Sequence, residues 1–115
     1  MNDMLDIIYE YNRKLVEYNI CNEKFDNLKK NIDYLMSNEE TKQMAESMKS
    51  SVDIMNEKVN ELNKEKEELK HKFLNKINTL SEEEKKETLN ILENYTKMDS
   101  TYDTIYKELN DQINN

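Results

Sequence analysis

The chain has no glycine, no proline and no tryptophan, and only one cysteine, one histidine and one arginine. Each shortage excludes something. Without glycine there is no ready source of the positive φ that tight β-hairpins need, so a sheet protein is not expected. A glycine-rich phosphate-binding loop cannot be built at all. Average usage of about 7% glycine and 5% proline would place roughly a dozen such residues in a chain of this length. Part of the shortage is compositional, since 17 Asn, 16 Lys against the single Arg13, and one alanine at Ala45 are the mark of an AT-rich coding sequence.

The lone histidine, His71, rules out His-x-x-x-His zinc sites and the paired Glu-x-x-His motifs of di-iron bundles. Glu68 and His71 have the spacing of one half of such a pair and nothing supplies the other half. Cys21 falls on an apolar stripe and reads as a buried, inert thiol, neither a disulfide partner nor a nucleophile. No catalytic residue, no cofactor and no metal ligand is expected. No apolar run approaches the 18 or so residues of a membrane span, and Asp3 and Asp6 disagree with a secretory signal, so the expected location is cytoplasmic.

Charged residues make up 37% of the chain and hydrophobic ones 36%, a balance at which a chain can fail to fold. Periodicity decides the matter in favour of folding. Met4, Ile8, Tyr11, Leu15, Tyr18, Cys21, Phe25, Leu28, Ile32 and Leu35 follow one another in steps of three and four, which keeps one helical face apolar. A second series, Met48, Val52, Met55, Val59, Leu62, Lys66, Leu69, Phe73, Ile77 and Leu80, is a heptad seam interrupted by one lysine. A third runs through Leu92, Tyr95, Asp99, Tyr102, Tyr106, Leu109 and Ile113.

Breaks are marked by the spacing Ser-x-x-Glu, in which the serine oxygen accepts an orphan amide and the glutamate reaches back to the cap. It occurs at Ser81 and Glu84, with Glu82 and Glu83 adding charge that the helix dipole favours, and again at Ser37 and Glu40. The sequence therefore predicts helices at about 3–36, 38–80 and 82–114 in one domain spanning 1–115. Short connections favour antiparallel neighbours, so the expected fold is all-α: an elongated antiparallel three-helix bundle with coiled-coil character.

Acidic and basic side chains number seven and five in 1–37, nine and eight in 38–80, and nine and four in 81–115, so the net charge of −8 is concentrated in the last third. The lysines of the middle segment alternate with glutamates and form no basic face, so nucleic acid is not an expected ligand. What is left is protein–protein interaction. The expected role is a non-enzymatic coiled-coil structural or adaptor protein. A small acidic secretion-type or assembly chaperone is the alternative, and a nucleic-acid accessory factor a weaker one.

Met44, Met48 and Met55 share one face of the middle helix, and flexible thioethers suit a surface that accepts apolar partners. They are the candidate partner-binding residues, on a stretch expected to overhang shorter neighbours, while Leu62, Leu69 and Phe73 hold the bundle. The seam between Val52 and Leu69 is thin, which also allows homo-oligomerisation through the middle helix, with Lys66 limiting it.

Overall fold

The computed structural model describes residues 2–114. It contains α1 (Asn2–Met36), α2 (Lys42–Asn78), α3 (Glu82–Met98), a 3₁₀ turn (Ser100–Tyr102) and α4 (Asp103–Asn114). No strand occurs among the described residues, and the all-α helical bundle follows from the apolar stripes. The chain divides into two compact units: residues 1–16 with 67–115, and residues 17–66.

The first unit is a helical bundle whose core is almost entirely closed to solvent. Met4 and Ile8 from α1, Phe73 from α2, Leu92 from α3 and Ile105 and Leu109 from α4 are all 0% exposed. Tyr11 packs on Phe73 with ring centroids 5.8 Å apart. Its hydroxyl donates to the Glu108 carboxylate, 2.9 and 2.8 Å from the two oxygens. Burial first, and that bond second, push the Tyr11 phenol well above the ordinary tyrosine range.

Entry into α3 follows the expected grammar. Ser81 stands in extended backbone, its hydroxyl accepts from the Glu84 amide at 3.2 Å, and the Glu84 carboxylate accepts from the Ser81 amide at 3.1 Å. The Ser81 amide first, and the Ser81 side chain second, hold the Glu84 carboxyl below its usual range.

The expected single helix over 82–114 is interrupted at Asp99. Its backbone is extended, and its carboxylate accepts from both the amide and the hydroxyl of Thr101, at 3.0 and 2.7 Å. Asp99, Ser100 and Thr101 are short polar residues whose side chains compete with helical hydrogen bonding, and they cap a new turn instead of continuing the old one. Asp99 is therefore a helix stop and not a seam position. The corner lets α3 and α4 pack against each other.

The second unit, 17–66, is a hairpin of the C-terminal part of α1 and the N-terminal part of α2. Cys21, Phe25, Val59 and Leu62 form its core, with Tyr18, Val52 and Met55 packed against it. The order of contacts is antiparallel: Tyr18 lies under Lys66, Cys21 shares a groove with Leu62, and Ile32 shares another with Val52.

The connection 37–41 corrects the expected start of α2 at 38. Ser37 ends α1 instead of opening α2, its hydroxyl donating back to the Tyr34 carbonyl at 2.6 Å. Asn38 accepts from the Glu40 amide at 3.0 Å, and the Thr41 hydroxyl donates to the Leu35 carbonyl at 2.7 Å. The first α2-type bond runs from Ala45 to Thr41. Serine and threonine thus satisfy the orphan carbonyls that a left-handed glycine would otherwise take care of, and no described residue has positive φ.

Candidate protein-docking face

Two antiparallel helices can cover each other along one stripe only. In the hairpin, Cys21, Phe25 and Leu62 remain 9% exposed and Val59 6%, whereas eight of the nine core residues of the other unit are at most 1% exposed and the ninth, Leu15, is 8% exposed. The flank of that stripe is open. Ile20, Cys21, Met55 and Leu62 line a groove of about 400 Å³, bordered by Glu17, Lys24 and Lys58. On another stretch of the hairpin, Ile32 and Val52 lie in a groove edged by Lys29, Asp33, Lys49 and Asp53.

The structure separates the three candidate methionines by degree. Met44, close to the turn, is 58% exposed. Met48 is half-buried, and Met55 is half-buried against the core of the hairpin and forms part of the groove wall. The overhang expected for the middle helix is absent as a cause: α2 has 37 residues and α1 has 35, and α1 lines the same groove as Met55. The face is open because this unit has no third helix.

Ile20, half exposed beside Cys21, belongs to the groove although it lies one position off the apolar series. Its adjacency to Cys21, a doubling of the stripe, was the available signal. Exposed Ile54 on α2 likewise falls outside the heptad series.

Charge around the groove is mixed in sign. Lys66, half-buried on the seam, places its ammonium 4.3 Å above the Tyr18 ring, and Lys29 sits at the same distance over Phe25. A lysine on the seam is tolerated because its stem covers apolar surface while its head rests on an aromatic face. His71 and Glu68 are both exposed, and no group of three or more His, Cys, Asp or Glu able to hold a metal occurs among the described residues. No helix among them is long and apolar enough to cross a membrane. Cys21 is a free, buried thiol.

No protein-family model, no curated protein and no solved structure matches the chain.

Proposed function

We propose that the protein is a non-enzymatic helical adaptor, acting in the cytoplasm, whose hairpin 17–66 receives an amphipathic helix of a protein partner. The observation that carries this reading is the contrast in burial: eight of the nine core residues of one unit are at most 1% exposed, whereas Cys21, Phe25, Val59 and Leu62 on the hairpin stripe keep 6–9%. A third helix laid along the stripe would cover Ile20, Met55 and Leu62, with Met48 and Met44 extending the contact toward the turn. Such helix-in-groove recognition uses anchors spaced one and two turns apart, which is the spacing of Met44, Met48 and Met55. Lysines and acids at the groove edge suit the mixed-charge flanks of such a helix.

The test combines replacement of Ile20, Met44, Met48 and Met55 by glutamine with recovery of the tagged chain and its cross-linked partner from native cells. A stoichiometric protein partner lost in the variant, with helicity and melting temperature retained, supports the adaptor. A partner released once an assembly forms would instead indicate the chaperone reading, and nuclease-sensitive recovery a nucleic-acid role. If the purified chain itself doubles in mass with concentration and the variant does not, the hairpin takes a second copy. Unfolding of the variant would make these side chains core and move the search for a partner face elsewhere.

A further inference from the structure

A second recess lies within the other unit, at the corner where α3 stops. It has a volume of about 180 Å³ and is lined by Leu5, Tyr9, Tyr95, Met98, Asp99 and Tyr102. Pockets for drug-sized ligands run to about 300–1,000 Å³, so this one has room for a single small head group. Tyr95 and Tyr102 form two of its walls, their ring centroids 5.3 Å apart and their planes inclined at 58°. Tyr9 and Leu5, from α1, supply a third side, and Met98, 81% exposed, stands at the rim.

The chemistry of the lining is one-sided. Aromatic faces are electron-rich, and the single ionisable group besides the phenols is a carboxylate. Asp99 is held in place by a polar chain: the Asn12 amide donates to the Thr101 hydroxyl at 3.1 Å, and Thr101 donates to Asp99 Oδ1 through both hydroxyl and amide. Those bonds, the hydroxyl's first, hold the Asp99 carboxyl below its usual range, so it is ionised at neutral pH. They engage Oδ1 only, and Asp99 makes no ion pair among the described residues.

Behind Thr101, Asn12 is 6% exposed and its Oδ1 is a buried acceptor with no partner among the described residues. Burial first, and then Asp99, Tyr95 and Tyr9, raise the Tyr102 phenol, against an opposing hydrogen bond with the Asn12 side chain.

What the corner lacks is a cation. In a chain with 16 lysines, three other recesses each include two of them: Lys72 and Lys76, Lys24 and Lys58, Lys29 and Lys49. This one includes none. Residues 1–16 and 67–115 together carry fourteen acidic and nine basic side chains, so the surrounding field also attracts positive charge.

We infer that this corner binds an alkylammonium group, its methylene or methyl groups against Tyr9, Tyr95 and Tyr102 and its charge beside Asp99. Cation–π attraction from three rings selects a cation over a neutral group of equal size, and the fixed carboxylate adds to it. The same head chemistry occurs in free choline-like amines and in the end of a lysine side chain, and the choice of probes distinguishes them.

The inference is independent of the docking face on the hairpin. The test titrates the full chain with choline, with the uncharged isostere in which carbon replaces the quaternary nitrogen, and with N-acetyl-lysine methylamide, following the Met98 methyl and tyrosine ring resonances by NMR. Choline or the lysine derivative should shift Met98, Tyr95 and Tyr102 saturably, and the neutral isostere should bind roughly tenfold more weakly. Added salt should weaken the charged probes alone. Stronger binding of choline would identify a free quaternary amine as the ligand type, and stronger binding of the lysine derivative a peptide.

Asp99→Asn keeps an oxygen for Thr101 and removes the charge, so it should lose most of that discrimination with the melt unchanged. Tyr9→Leu, at an exposed position, is the second variant should Asp99→Asn unfold, and it should also weaken choline. Equal affinity for choline and its neutral isostere, shifts spread evenly over all methionines, or undiminished binding by folded Asp99→Asn or Tyr9→Leu would each overturn the inference.

Discussion

Exchanging Tyr11 for phenylalanine removes one hydroxyl from a ring that stays packed on Phe73. The lost bond is the one to the Glu108 carboxylate, at 2.8 and 2.9 Å. Hydrogen bonds to charged groups contribute about 1.5–3 kcal/mol. Glu108 is half exposed and regains water when the hydroxyl goes, so the loss should fall at the low end, about 1–2 kcal/mol.

The pH dependence provides a second reading of the same bond. An unfolded tyrosine releases its proton near pH ~10, and Tyr11 in the folded chain is pushed above that by burial and by Glu108. Above that pH the native state holds a proton that the unfolded state has lost, so stability is fully present below pH ~10 and declines as pH rises further. Urea unfolding followed by circular dichroism, at neutral pH and at several alkaline values, gives both numbers. Tyr11→Phe should be less stable at neutral pH and should lose less on alkalisation, with a residual slope from Tyr102, whose phenol is also raised. A variant within about 0.5 kcal/mol of the wild type at neutral pH, or one with the wild-type alkaline decline, would refute the assignment.

Ser81→Ala removes the hydroxyl half of the capping box and should cost about 0.5–2 kcal/mol in the same unfolding assay, whereas Ser37→Ala removes only a bond to a terminal carbonyl and should cost less. Leu92→Ala, at a position fully closed to solvent, should cost about 2–5 kcal/mol, and equality with a surface substitution would contradict the core described for that unit. Lys66→Leu exchanges a cation–π contact worth about 0.5–1 kcal/mol for a continuous apolar seam, and light scattering should then show mass rising with concentration; a constant mass would mean that Lys66 does not limit association.

Helicity and the main stripes were legible because they depend on spacing alone. Met4, Ile8, Tyr11, Phe73, Ile77, Leu92 and Leu109 are core positions both by period and by burial. Ser81 was legible too, since its partner Glu84 lies within the same local pattern. The identical spacing at Ser37 and Glu40 misled, because an Asx turn at Asn38 and the Thr41 hydroxyl compete for the same few backbone groups.

Asp99 was placed on the seam by its period, although the run Asp99, Ser100, Thr101 carries the chemistry of a helix stop. The open groove could not be read from α2 alone. Half of its apolar wall is Ile20 and Cys21, brought there by the hairpin, and the thinness of the stripe is informative only beside the more fully closed unit. The recess at Tyr95 and Tyr102 depends on the corner at Asp99, and a straight helix over 82–114 would have hidden it.

The glycine-free turns have a consequence for the unfolded chain. Glycine at a junction widens the range of conformations a denatured chain explores, and folding must then remove that freedom. Here the junctions close instead with Ser37 and Thr79, whose hydroxyls donate to the Tyr34 and Lys76 carbonyls at 2.6 Å, and no described residue has to enter left-handed space. The denatured ensemble is correspondingly narrower. Engineering glycine into either junction, the usual remedy for a tight connection, would here lower stability by enlarging the disorder of the unfolded state while relieving no strain in the folded one.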